Sequence, residues 1–203
     1  ALINHGGIAI IYKDGLSMPE IDLRTPVASF EFLCCNISSN QTGVVLLSVY
    51  RPGSKPATKK FFDEFCFLLE ILSTYRRPIV ITGDLNIHVE RQNDIIAMKL
   101  HELLTSFNLI IHETIPTHGL GGQLDLVISR DDMVDLQVFV QETSVSDHLM
   151  ILFRLPLQKP TKPVATFWGR SWKRFDYDAL QTGLRLSELC HNPEISIIIQ
   201  LMN

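Results

Sequence analysis

The chain has 203 residues, 46% hydrophobic and 20% charged, with a net charge of −4. This balance fits one globular domain with a tail, and it excludes both a disordered chain and a uniformly basic nucleic-acid coat. No apolar run approaches bilayer length, so no membrane partner is expected, and the four cysteines (Cys34, Cys35, Cys66 and Cys190) lack zinc-ligand spacing and read as buried thiols.

In chain order, Ala1-Leu2-Ile3-Asn4-His5-Gly6-Gly7 carries no initiator Met, no basic head and no cleavage pattern. It reads as a loop inside a longer protein. Residues 7–12, 28–36 and 44–50 read as strands, and Ser38-Ser39-Asn40-Gln41-Thr42-Gly43 as the turn joining the last two into an antiparallel pair. Phe61, Phe65, Leu68, Leu69 and Leu72 recur at helical spacing and predict a helix over 59–75. A buried strand follows at 78–82. A second helix is capped by Asn93 or Asp94 and carries Ile96, Leu100, Leu103, Leu104 and Phe107. Further strands are expected at 109–112, 124–129, 136–140 and 149–155. Pro156, Pro160 and Pro163 end the domain, so 1–156 is the folded unit and 157–203 a tail with helical character over 175–186. Many strands with a few interposed helices make a layered α/β domain.

From His148 to Phe175 there is no acid. Arg154, Lys159, Lys162, Arg170, Lys173 and Arg174 are interleaved there with Phe167, Trp168, Trp172 and Phe175. That composition suits binding to a nucleic-acid strand, and equally a solvated linker with docking aromatics.

Three polar punctuations sit beside strand-like runs. Ile79-Val80-Ile81 leads into Thr82-Gly83-Asp84-Leu85-Asn86, and period-2 geometry sends Asp84 and Asn86 the same way. Asp125 opens Asp125-Leu126-Val127-Ile128, and Ser146-Asp147-His148 precedes another apolar run. Each alone is ordinary turn or strand-end chemistry. Together they suit metal-assisted phosphodiester hydrolysis, which needs a positioned water, a cation on the developing charge and help for the leaving oxygen. Asp84 and Asp147 are the candidates for cation and water. Asn86 can donate to a phosphate oxygen. His148 can bind the phosphate or carry a proton, with Asp125 behind it to fix its tautomer.

These residues resemble the endonuclease/exonuclease/phosphatase superfamily. Gly6-Gly7-Ile8-Ala9-Ile10-Ile11-Tyr12, Val49-Tyr50-Arg51-Pro52, Gly83-Asp84-Leu85-Asn86-Ile87-His88, Pro116-Thr117-His118 and Leu124-Asp125-Leu126-Val127-Ile128 narrow it to the endonuclease domain of non-LTR (LINE-type) retrotransposons. Arg170-Ser171-Trp172-Lys173-Arg174-Phe175-Asp176-Tyr177-Asp178 is similar to the linker before their reverse transcriptase. The resemblance implies a four-layered α/β sandwich of two facing, mainly antiparallel sheets flanked by helices, with its N-terminal strands missing here. It implies nicking of DNA with Mg²⁺, or Mn²⁺ in its place, in the nucleus, alongside a reverse transcriptase region of the same parent protein and with RNA as a further partner of the basic tail. By the same resemblance Asp84 activates the water, Asn86 orients it or the phosphate, and Tyr50 bonds the scissile phosphate. His148 stabilises or protonates that phosphate with Asp125 orienting it, and Asp147 lies on the metal side. Ser146, Thr117 and Arg51 contact the substrate. The family's first-strand Asn and its metal-binding Glu lie before residue 1, and Glu20 and Glu31 stand in no matching context. Three expectations follow: a DNA-nicking endonuclease impaired in this stretch, a phosphomonoesterase of the same superfamily, or a non-catalytic remnant that binds nucleic acid or protein.

Overall fold

The computed structural model describes residues 7–12, 16–39, 42–112, 115–119, 121–133, 136–142, 146–155, 157 and 176–187. Strand β1 (Glu31–Ser39) and β2 (Thr42–Tyr50) pair antiparallel, with Ser39 opposite Thr42 at the expected turn. Helix α1 (Lys59–Ser73) follows, then β3 (Ile79–Asp84), α2 (Ile95–Ser106), β4 (Leu109–Ile111), β5 (Asp125–Arg130), β6 (Gln137–Gln141) and β7 (Met150–Arg154). The chain divides into two compact units, 1–161 and 162–203. Of the second, helix α3 (Tyr177–Leu186) is described, and Asp176 caps it by accepting from Ala179 N–H. The basic and aromatic residues from Lys159 to Phe175, and Cys190, lie outside the described residues. Among the described residues no helix is long and apolar enough to cross a membrane.

The five-stranded sheet has the order β1-β2-β3-β5-β4, with β2 and β3 parallel and the other pairs antiparallel. Its central strands are apolar on both sides, because both faces are covered. Val45, Leu47, Val49, Ile79 and Ile81 pack against Phe61, Phe65, Leu68, Leu69 and Leu72 of α1 and Ala97, Leu100 and Leu104 of α2. Val44, Leu46, Val80 and Val127 face the other way and meet Val138 of β6 and Ile151 and Phe153 of β7. Those two strands make a second, antiparallel sheet. This is the expected α/β sandwich of two facing sheets; three of its four layers are formed by the described residues. Asp94, of the two candidate caps, starts α2 by accepting from Ile96 and Ala97 N–H.

Three expectations are corrected. Residues 7–12 form no strand: no described strand pairs with them, and Ile11 is 95% exposed. β1 starts at Glu31, not residue 28, because Ala28 and Ser29 spend their N–H groups on the Glu64 carboxylate. The outer edge of β1 is covered by residues 17–21, through Ser17–Ser38, Ile21 N–H to Cys34 O and Asn36 N–H to Pro19 O. Cys34 and Cys35 are buried, and burial together with the neighbouring Cys35 pushes the Cys34 thiol up to about 12. Cys66 is only half-buried on α1.

Gly83, next to last in β3, has a φ of +137°. A Cβ there would collide with the carbonyl oxygen of Val49 on the neighbouring strand, so the position requires glycine for both conformation and space. Gly83→Ala is expected to lower unfolding free energy by about 2–4 kcal/mol, read as a lower urea midpoint at unchanged slope. An unchanged midpoint would show that β2 and β3 are not packed this closely.

Candidate active site

The strand register assembles the centre. Tyr50 stands opposite Asp84 across the parallel β2–β3 pair, and Asp84 stands opposite Asp125 across the antiparallel β3–β5 pair. Directly opposed residues project from the same face. Tyr50, Asp84 and Asp125 therefore form a row across three adjacent strands, at the end where β2 and β3 finish.

Asp84 is the last residue of β3, so strand alternation does not carry on to Asn86. Instead the chain turns, with Asn86 in the left-handed region at φ +51°. The turn is tied back to the carboxylate. Asn86 N–H donates to Asp84 Oδ1 at 2.9 Å, and its Nδ2 donates to Asp84 Oδ2 at 2.7 Å and to Arg51 O at 2.8 Å. Asn86 thus spends both amide hydrogens within the protein and aims Asp84.

Arg51, expected to contact the substrate, is turned into the protein. It is 5% exposed, and its guanidinium faces inward. Nε donates to Leu85 O at 2.6 Å, one terminal nitrogen to Asn86 O at 2.6 Å, and the other to Lys55 O and Pro52 O at 2.7 and 3.2 Å. The Phe61 ring lies against its other side, 5.8 Å from the guanidinium carbon. Burial pulls its pKa down, opposed by the charge of Asp84. The planar fork clamps the 51–55 loop to the 85–86 turn. Thr117 is also turned inward. It is fully buried, and its hydroxyl accepts from Leu124 and Asp125 N–H at 3.2 Å each, fixing the start of β5.

His148 reaches the row from the loop before β7. Its Nδ1 lies 2.7 Å from Asp125 Oδ2. Ser146 Oγ accepts from His148 N–H at 3.1 Å and donates to Asp147 Oδ1 at 3.3 Å, so the exposed serine shapes the turn that carries both. The Asp147 carboxylate is exposed and lies 3.3 Å from His118 Nε2. From sequence, His118 is an alternative to Thr117 as a contact to the DNA backbone. The signal available was its place next to Thr117, in a segment whose backbone bridges to His148.

The groups of this site differ in how their surroundings shift them. Burial pushes the Asp84 carboxyl up and the charge of Asp125 adds to this; the Asn86 bonds and His148 pull the other way without cancelling it. For His148 burial opposes the charged form, but the Asp125 hydrogen bond and the charges of Asp125, Asp84 and Asp147 outweigh it and raise the pKa. Asp147 is lowered by a backbone hydrogen bond and by the nearby His118 and His148. A carboxyl that holds its proton more readily than usual thus faces a histidine whose charged form is favoured, an arrangement suited to general acid–base work.

The description Endonuclease-reverse transcriptase belongs to the family that matches residues 44–152, more than half of the chain. No curated protein matches. Among solved structures, the endonuclease domain of TRAS1, a telomere-specific non-LTR retrotransposon, is similar over 73% of this chain and 73% of its own, at 20% identity and TM-score 0.60. The AP endonuclease LMAP of Leishmania major covers 59% of this chain at 14% identity and TM-score 0.47. An endonuclease/exonuclease/phosphatase family protein of Leptotrichia buccalis covers 62% at 16% and 0.46. The chain spans about half of each of these last two, 53%.

Removing the carboxylate behind His148 is expected to lower the histidine's pKa. In Asp125→Asn, an NMR titration of His148 should move down from the native value; an unchanged titration would mean that the 2.7 Å contact does not set its charge. The sign for stability follows. A raised histidine pKa adds stability that is fully present below the unfolded value of about 6.5 and is lost as pH rises through the folded value. The native chain should therefore lose more stability than Asp125→Asn between pH 6 and about 9.

Proposed function

Given that the chain belongs to the endonuclease-reverse transcriptase family and has the endonuclease/exonuclease/phosphatase fold, we propose that it is the DNA-nicking portion of a retrotransposon-type protein, a metal-dependent phosphodiester hydrolase. The observation that carries this is the aligned row Tyr50–Asp84–Asp125, with His148 held on Asp125 at 2.7 Å. Asp84 takes the proton of the attacking water, and Asn86 and Arg51 keep its carboxylate aimed. His148, charged, binds the phosphate and supplies a proton toward the leaving oxygen. Asp125 holds the ring. Tyr50, at the end of the row, places its hydroxyl on the phosphate, and Ser146 keeps the Asp147–His148 turn in shape.

The donor chemistry fits a hard divalent cation. Asp84, Asp125 and Asp147 bring three carboxylates around His148, and Asp125 raises Asp84 by direct repulsion, which a cation relieves. Asp147, exposed, and Asp84 would hold Mg²⁺, with Mn²⁺ as its substitute. When bound it stabilises negative charge on the phosphate. The same reading makes DNA the substrate, the nucleus the compartment and a reverse transcriptase region the neighbour in the parent protein. It makes residues 157–203 the connecting segment, with RNA as a further partner of its basic stretch.

Plasmid nicking tests this in the longest natural form of the chain. Supercoiled DNA should relax with Mg²⁺ and not with EDTA, and Asp84→Ala and His148→Ala should each slow it about 10²–10⁴-fold. Phosphate release from inositol phosphates without nicking, or salt-dependent DNA retention without any cleavage, would contradict the proposal. The pH profile should be bell-shaped. Activity falls in acid where Asp84 gains its proton, and falls in alkali where His148 loses its own, above about 6.5. A flat profile between pH 5 and about 9 would remove these two groups from the proton path.

A further inference from the structure

We propose that His118, Asp147 and His148 form a binding site for a transition-metal ion of the Zn²⁺ class, and that filling it switches phosphodiester cleavage off. One ligand atom from each of the three lies within 4.8 Å of the others. His118 Nε2 is 3.3 Å from Asp147 Oδ2. The two imidazoles meet edge to face, with centroids 4.8 Å apart and planes at 89°. Neighbouring ligands on one ion need donor atoms about 3–4 Å apart, so the group closes on a metal with small side-chain rotations. Two imidazoles and a carboxylate are donors for Zn²⁺ or Co²⁺. Mg²⁺ prefers oxygen and matches the neighbouring carboxylates instead.

The backbone holds these ligands in place. His118 and His148 face each other in an antiparallel bridge. Gly119 N–H donates to Asp147 O at 2.8 Å, and Leu149 N–H donates to Thr117 O at 2.7 Å, one on each side of that bridge. Both rings therefore rise from one face of a short ladder. Asp125 occupies Nδ1 of His148, which is the carboxylate–histidine arrangement found behind metal-binding imidazoles and leaves Nε2 for the ion. Binding of the ion needs only this geometry. The inhibition claim rests on the function proposed above, because the ion would withdraw His148 from the phosphate and Asp147 from Mg²⁺.

Binding is measured first, without DNA. Zn²⁺ is titrated calorimetrically into the 203-residue chain, and Co²⁺ is added in parallel for its visible absorption. A single Zn²⁺ per chain is expected, together with Co²⁺ bands of an imidazole-bound ion. His118→Asn and Asp147→Asn should each weaken Zn²⁺ at least about tenfold, while Asp84→Asn keeps it. Asp147 is exposed, so its variant tests the site even where His118→Asn does not fold. Equal Zn²⁺ affinity in the wild type and Asp147→Asn overturns the site. So does loss in Asp84→Asn with retention in Asp147→Asn, which would place the ion on the Asp84–Asp125–His148 group. In the Mg²⁺ nicking assay, added Zn²⁺ should suppress the wild type, and His118→Asn should resist it. Equal suppression of both overturns the switch while leaving the binding result to stand or fall separately.

Discussion

The register of β2, β3 and β5 is the constraint on which the centre depends. Tyr50, Asp84 and Asp125 are far apart in sequence, yet hydrogen-bonded pairing sets them side by side at the end of one sheet. A one-residue slip of β5 against β3 would turn Asp125 to the opposite face and leave His148 without its carboxylate. The buried alternation on both faces resists that slip. Val80 and Val127 must face β6 and β7 while Ile81, Leu126 and Ile128 face the helices. The core that stabilises the sandwich thereby also fixes where the carboxylates point.

Around this row the protein spends buried polar groups on holding loops. Arg51 gives its guanidinium hydrogens to four backbone carbonyls, and Thr117 takes two backbone N–H groups. An arginine forced into the interior stays compatible with burial when its donors find partners, and these four carbonyls serve most of its five N–H groups. The outcome is a set of short, braced turns after β2 and β3 and before β5, which is what a base and a histidine need to keep a fixed distance. A charged residue next to a motif reads, from sequence, as a hand held out to substrate. Arg51 shows how the same residue instead closes a turn.

The elements were largely legible because their signals are local. The stripe from Phe61 to Leu72 gave α1, the Asp94 cap gave the start of α2, and short Val- and Ile-rich runs gave the strands. What failed depended on partners. Residues 7–12 have strand composition but no strand beside them among the described residues, and the start of β1 was displaced by Glu64, a residue of the distant α1. The chemistry-bearing residues Asp84, Asp125 and His148 were visible as motifs, but their convergence was not, since it comes from sheet order β1-β2-β3-β5-β4. The direction of Asn86 was not legible, because β3 ends at Asp84 and the chain turns there instead of continuing its alternation. The approach of His118 to Asp147 and His148 was not legible, because those partners lie in a turn remote in sequence.

Whether Asp125 acts through His148 is read most directly from a double-mutant cycle. Nicking rates would be compared for the wild type, Asp125→Ala, His148→Ala and the double variant, all in the longest natural form of the chain. If Asp125 works only by holding and charging His148, its removal should slow the wild type strongly and add almost nothing once His148 is gone. Additive losses, with Asp125→Ala costing the same in both backgrounds, would contradict the account and give Asp125 a separate task.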